Sequence, residues 1–132
     1  EMEPHHYGHE TRGLDCLRAW DARTTLPRTW LKAGAFVIEQ HMRAPLLTKP
    51  GKIAHLLLAI DHSVLSLAEF NAVILADHHS LPSYLLHGSK YLAAMKTVHG
   101  DQAPQALRGP EIRDWIFGEQ VKILRQFMAA EE

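Results

Sequence analysis

Residues 66–79 read SLAEFNAVILADHH, and this stretch decides the fold class. Ser66 followed three residues later by Glu69 is a capping-box signature, which marks the first turn of an α-helix. The helix that it opens is expected to cover residues 67–79. No β-branched alternation bounded by hairpin turns occurs anywhere in the chain, so the pattern favours an all-α protein.

The same helical periodicity of apolar residues extends along the chain in both directions from this stretch. Proline is favoured at the first helical position, and it opens several of the predicted helices. Short loops and the absence of repeats predict one compact all-α bundle of about six helices, a single domain over residues 1–132. The final residues 129–132 are expected to fray. The other predicted helices cover residues 8–22, 27–41, 52–61 and 83–98, and a last one begins at residue 110.

The composition narrows the class of protein. Apolar residues make up 46% of the chain, enough for a core, and the net charge of −1 gives no general indication of nucleic acid or an anionic membrane as partner. Cys16 is the only cysteine, so no intrachain disulfide can form. The apolar runs are too short to span a bilayer, and no signal peptide is visible. A cytoplasmic protein without a membrane partner is expected.

Ten histidines are the unusual feature of the composition. Imidazole and carboxylate groups are natural ligands for a divalent transition metal, and several of these groups fall at predicted helix ends. No HExxH or CxxC motif occurs, so solvated tail histidines and a helix-end histidine remain the alternative. The groups in question are His5, His6 and His9 at the first helix, His41 at the end of the second, and Asp77, His78 and His79 at the end of the fourth.

Four stretches together resemble one known family. GHETRG at residues 8–13 and VIEQHMR at 37–43 place His9 and His41 at a spacing that this family shares. KIAHLLLAID at 52–61 precedes a helix that ends in an Ala-Asp pair, and ALRGPEIRDWI at 106–116 is similar to a late helix start. The chain resembles, over essentially all of its length, the C-terminal HD domain of the bacterial tRNA nucleotidyltransferases (multifunctional CCA protein and poly(A) polymerase family).

The resemblance implies an HD-type helical fold and a metal-dependent phosphohydrolase or phosphodiesterase that acts on phosphoesters of RNA or nucleotides. It implies His41 and Asp77 as catalytic residues, and His41, Asp77 and His9 as ligands of a divalent metal such as Mg, Mn or Ni. His9 and Arg43 would contact phosphate. The implied partner is a tRNA or a nucleotide phosphoester, and the parent protein would add CCA to tRNA.

The chain departs from the family pattern because it has no His-Asp doublet; Asp61–His62 and Asp77–His78 have the reverse order. The nucleotidyltransferase carboxylate pair and glycine-rich loop are absent as well. We therefore expect a C-terminal portion of an HD domain that is inactive by itself and that holds metal poorly or not at all. Two alternatives stay open: a non-catalytic helical module for tRNA binding or homodimerisation, and a different HD-type phosphohydrolase.

Several residues have ordinary structural interpretations. Trp20, Trp30 and Trp115 have helical spacing typical of core residues, and His55 lies in an apolar run typical of a buried histidine. His78 and His79 are expected to be exposed. Lysines and arginines such as Lys32, Arg43, Lys49 and Lys52 belong either to a solvated face or to a surface that contacts RNA phosphates.

Overall fold

The all-α prediction is confirmed by the computed structural model, which describes the backbone of residues 9–131 and the side chains of residues 11–23 and 25–131. This part of the chain contains helices and no strand. Two short 3₁₀ helices cover Ala44–Leu46 and Gly100–Gln102. The α-helices are α1 (His9–Thr24), α2 (Arg28–Gln40), α3 (Pro50–His62), α4 (Leu67–His78), α5 (Ser83–Leu86), α6 (Gly88–Met95) and α7 (Pro110–Ala130).

Helix α4 begins as its sequence predicts. The Glu69 backbone N–H donates to Ser66 Oγ over 3.1 Å, and the Ser66 backbone N–H donates to Glu69 Oε1 over 2.9 Å. The Ser66 backbone N–H, and after it the Ser66 side chain, stabilises the ionised carboxylate and lowers the pKa of Glu69. At the other end, His79 adopts the left-handed conformation with φ 62° and donates its N–H to Leu75 O over 2.8 Å. The predicted helix is therefore one residue too long, because His79 is its cap.

One predicted helix is in fact two. The stretch expected as a single helix over residues 83–98 is interrupted at His87, which has φ −96° and ψ 11° and lies between α5 and α6. Gly88 follows directly and is buried. The change of direction occurs at His87 itself, and apolar periodicity predicts one continuous helix because the pattern carries on across this residue.

The chain divides into two compact units. Unit 1 comprises Glu1–Leu47 and Ile60–Leu81, and unit 2 comprises Thr48–Ala59 and Pro82–Glu132. Helix α3 contributes residues to both units. None of the helices in residues 9–131 is by itself long and apolar enough to cross a bilayer, and α3 and α4 meet that criterion only together, as a bent pair. The expectation of one domain over residues 1–132 stays a prediction.

Unit 1 has a small core around helix α4. Phe70 is completely buried, and its ring meets Phe36 of α2 edge to face, with centroids 5.8 Å apart. This geometry is the favourable one for an aromatic pair. In contrast, the described residues of α1 and α2 include none that is fully buried. The buried apolar residues of unit 1 are Ala44, Ile60, Phe70 and Ile74.

Helices α1 and α2 pack against each other through two glycines. A Cβ atom at Gly13 would lie 3.0 Å from Ile38 Cγ2, and one at Gly34 would lie 3.2 Å from a Leu17 methyl group. Glycine at these positions allows the two backbones to approach closely. The two contacts also fix an antiparallel register for the pair, since positions that advance along α1 meet positions that recede along α2.

The turn between α1 and α2 is organised by Asp21. Its carbonyl oxygen accepts the Thr25 backbone N–H over 2.7 Å, and its Oδ1 accepts the Leu26 backbone N–H over 3.0 Å. Thr25 has φ 54°, a left-handed conformation that is uncommon for a β-branched residue. These two bonds occupy donors at the end of α1 and define the geometry of the turn.

Unit 2 packs α6 against α7. The rings of Tyr91 and Phe127 meet edge to face, with centroids 6.4 Å apart. The Gln120 side-chain amide donates to the Met95 carbonyl oxygen over 3.2 Å, which satisfies an acceptor at the end of α6. The buried apolar residues of unit 2 are Ile53, Ala54, Leu56, Leu57, Tyr84, Leu85, Tyr91, Leu92, Met95 and Leu124.

The expectation that residues 129–132 fray is wrong for the described part of this segment. Helix α7 continues through Ala130, and Lys90 Nζ donates to Glu131 Oε1 over 2.6 Å. His87 Nε2 lies 3.9 Å from Glu131 Oε2, and Lys90 Nζ lies 5.7 Å from the centre of the Phe127 ring. The Lys90 hydrogen bond lowers the pKa of Glu131, and the same bond raises the pKa of Lys90.

We expect Glu131→Gln to reduce stability at neutral pH and to have no effect in acid. A carboxyl group whose pKa is lowered by folding stabilises the protein above its unfolded pKa, and this contribution is lost as the pH falls through the folded pKa. The effect should be small, because the pair is solvent-exposed and screened. Urea unfolding of both proteins across the acid range measures it. Glu119→Gln, which removes a pair internal to α7, is the control. The same difference at every pH would contradict the prediction.

Candidate functional site at the ends of α2 and α4

His41 caps the end of α2 with both its backbone and its ring. The His41 backbone N–H and ring Nδ1 each lie 2.8 Å from the Val37 carbonyl oxygen. A carbonyl can only accept, so Nδ1 carries the proton, and the neutral ring has its lone pair on Nε2. That tautomer suits a ring that receives a proton or binds a metal through Nε2.

A histidine of α4 joins this end of α2. His78 Nε2 donates to the His41 carbonyl oxygen over 3.1 Å and lies 3.3 Å from Asp77 Oδ2. The His78 side chain is 30% exposed and the Asp77 side chain 50%, so the cluster is open to solvent on the Asp77 side. The structure thereby brings the ends of the two helices that carry His41 and Asp77 together within unit 1.

The electrostatics of this place favour a cation. Helices α2 and α4 both end here, and the C-terminal end of a helix carries a partial negative charge. The Asp77 carboxylate, 3.3 Å from His78 Nε2, adds to this negative charge. A phosphate group is itself negative, so it would bind here only beside a bound cation or beside the Arg43 guanidinium. Arg43 is exposed and precedes the 3₁₀ helix Ala44–Leu46.

Some of the remaining predicted site residues lie outside the part of the chain that the structure describes. His9 is the first residue of α1, but its side chain is not among those described. His5 and His6 fall outside the described residues altogether. His79 is exposed, as expected. The catalytic roles of His41 and Asp77, the phosphate contacts of His9 and Arg43, and the metal-ligand roles therefore stay predictions.

The described residues by themselves do not fit a metal site. Within residues 9–131 as described, no group of three or more His, Cys, Asp or Glu side chains is arranged to hold a metal ion. A structural metal site generally needs four ligands, and a catalytic one three. His41 and Asp77 would need ligands from another part of the protein, and we derive no chemical step through a metal.

His78, one of the candidate groups at the helix ends, is placed differently from the sequence expectation. It was expected to be exposed, but it is partly buried and donates the hydrogen bond between the two helix ends. Phe70 and Ile74, both fully buried, precede it at intervals of one helical turn. The i, i+4, i+8 stripe of α4 therefore contained the signal, since it places His78 on the same inward face.

Three other residues that were expected to be buried are exposed. Trp20 is 60% exposed and Trp30 is 68% exposed, although both were expected in the core. Both lie close to the turn that joins α1 to α2, where the helical pair ends and offers less cover. His55 is also exposed, because α3 buries the face that carries Ile53, Leu56, Leu57 and Ile60. Trp115 is half-buried.

Comparison with protein-family models, curated proteins and solved structures found no match. The function of the chain is therefore argued from its own residues and from the family resemblance of its motifs.

Proposed function

We propose that this chain is the C-terminal portion of an HD-type domain similar to that of the bacterial tRNA nucleotidyltransferases. Its parent protein would hydrolyse phosphoesters of RNA or nucleotides at this domain. The chain alone would be inactive, because it lacks the His-Asp doublet of the family pattern.

One observation carries the proposal. The hydrogen bond from His78 Nε2 to the His41 carbonyl oxygen, 3.1 Å long, joins the end of α2, which is followed by His41 of the VIEQHMR stretch, to the end of α4, which carries the Ala-Asp pair. These motifs are far apart along the chain, and their resemblance to the family rests on sequence alone. Their proximity within one unit is what a shared site would require.

The residues of this cluster would have distinct roles. His41 would receive or donate a proton at Nε2, the nitrogen that has the lone pair when Nδ1 donates to Val37. Asp77 would hold a cation at the negative ends of α2 and α4. Arg43 would bind a phosphate oxygen pair through its guanidinium fork. In the family that the chain resembles, a divalent metal held with the His-Asp doublet activates water.

The test is phosphoester hydrolysis by the full-length natural protein. We expect hydrolysis of a 2′,3′-cyclic nucleotide in the presence of Mn²⁺ or Ni²⁺, and a loss of about 100-fold or more in His41→Ala and Asp77→Asn. His55→Ala and Asp114→Asn are matched controls, because both side chains are exposed on other helices. Circular dichroism of each variant separates lost chemistry from lost folding.

Two results would contradict the proposal. One is full activity in the His41 and Asp77 variants, which would place the chemistry elsewhere. The other is a full-length protein without phosphoester hydrolysis under any metal, which would favour the non-catalytic alternative, a helical binding module.

A further inference from the structure

The end of the α1–α2 pair at its connecting turn carries two exposed tryptophans, and we call this region the hairpin tip. It comprises residues 18–32, the last turns of α1, the connecting turn and the first turn of α2. Trp20 is 60% exposed and Trp30 is 68% exposed. Two large apolar rings so open to solvent at one place mark an interaction surface.

The glycine contacts place the two rings at the same level of the pair. Trp20 continues the α1 stripe of Gly13 and Leu17, and Trp30 precedes Gly34 on the same stripe of α2. The antiparallel register set by those contacts puts Trp20 and Trp30 within about one residue of each other along the axis. Both residues therefore lie near the end of the helical pair at its connecting turn.

The hairpin tip is cationic although the whole chain is not. Residues 18–32 carry four cationic side chains and one acidic one, whereas the chain has a net charge of −1. The acidic residue, Asp21, uses Oδ1 to accept the Leu26 backbone N–H, so its carboxylate is engaged by the turn. The cationic side chains are all exposed: Arg18, Arg23, Arg28 and Lys32. Arg18 Nη1 also lies 3.5 Å from Oδ1 of Asp15, one turn earlier in α1, so Arg23, Arg28 and Lys32 carry most of the available positive charge.

A cleft runs along the same helical pair. It has a volume of about 270 Å³, and its lining includes Leu17 and Leu31 together with Arg18 and Lys32. Apolar walls beside cationic groups suit a planar aromatic ring that is attached to an anion. Glu39, which also contributes to the lining, lies two turns along α2 from Lys32 and away from the turn.

We propose that the hairpin tip binds single-stranded nucleic acid, with bases stacked on Trp20 and Trp30 and phosphates held by Arg23, Arg28 and their neighbours. Exposed aromatic rings within a cationic surface are the combination by which proteins bind single strands without reading sequence. The proposal goes beyond phosphoester hydrolysis and does not depend on it, since the site at the ends of α2 and α4 contributes no residue to this surface.

Charge argues against a second copy of the chain as the occupant. In a two-fold symmetric dimer the same surface meets itself, so one cationic tip would face another. At a lipid surface the two indoles would be the only large exposed apolar groups of the tip, since Thr25 and Pro27 form the exposed part of the turn and Leu26 is half-buried. A polyanion with exposed aromatic bases complements both the charge and the indoles.

The experiment is fluorescence anisotropy of the chain with a labelled single-stranded oligoadenylate of roughly a dozen nucleotides. RNA and DNA versions are compared, together with a duplex of equal length. We expect both single strands to bind more tightly than the duplex, because duplex bases are not available for stacking. Trp20→Ala and Trp30→Ala should each weaken binding by about 10-fold, whereas the Phe variants at the same positions should retain most of it.

The charged residues are tested separately through salt dependence. Arg23→Gln and Arg28→Gln should each lower the slope of log affinity against log salt by about 0.7, the value for one phosphate contact with a single strand. Leu86→Ala, 66% exposed on α5, and Arg125→Gln, exposed on α7, are controls that should bind as the wild type does.

Four outcomes would overturn the proposal. The first two are that neither single strand binds, and that the tryptophan variants bind as tightly as the controls. The other two are found without oligonucleotide binding: the chain binds anionic phospholipid vesicles, or it self-associates in a way that Trp20→Ala abolishes. Loss of hydrolysis in the full-length protein with oligonucleotide binding intact would leave this proposal standing and contradict only the proposed function.

Discussion

Replacing Phe70 with alanine should lower the free energy of unfolding by about 3–5 kcal/mol, the range for removing a fully buried phenylalanine. Phe70 has no exposed surface, and its ring meets that of Phe36 edge to face. Its removal deletes apolar area from a small core, leaves a cavity and eliminates an aromatic pair. Few other buried residues in unit 1 could compensate.

Urea unfolding followed by circular dichroism measures this loss. Leu75→Ala is the matched control, because Leu75 lies on the same helix with 49% of its surface exposed, and its change should be below about 1 kcal/mol. Comparable losses for the two variants would mean that Phe70 is not the centre of this core.

Replacing Gly13 with leucine should destabilise the protein by about 1–3 kcal/mol, the usual cost of overpacking. Even the first atom of the new side chain would lie 3.0 Å from Ile38 Cγ2, so α1 and α2 would have to separate. This steric cost exceeds the gain of about 1 kcal/mol that an ordinary residue has over glycine inside a helix.

Gly118→Leu isolates that gain. Gly118 is exposed within α7, and nothing lies within 4 Å of the position where its Cβ would be. This variant should be more stable than the wild type by up to about 1 kcal/mol, so the two glycine substitutions should differ in sign. Thermal or urea unfolding of both proteins shows the difference. Stabilisation by both would show that α1 and α2 are not closely packed at Gly13.

The candidate site was only partly predictable. His41 and Asp77 were proposed from helix-end positions and family resemblance, and both helix ends do meet in unit 1. His78, which connects them, required knowledge of which face of α4 is buried. The spacing of His78 from Phe70 and Ile74 is visible in the sequence and places it on the buried face of α4. His78 is the last residue of the helix, however, and a residue at a helix end can be either buried or solvated, so the spacing alone does not predict its burial.

The sequence by itself determined the helices, because their signals are local. The capping box of Ser66 and Glu69, the prolines at helix starts and the apolar periodicity act within a few residues of each other. The tertiary structure decided which apolar residues are covered and which polar groups meet. Trp20 and Trp30 follow the apolar period of their own helices, yet they are exposed at the end of a helical pair. Burial depends on what lies opposite in space, and a local period carries no information about that neighbour.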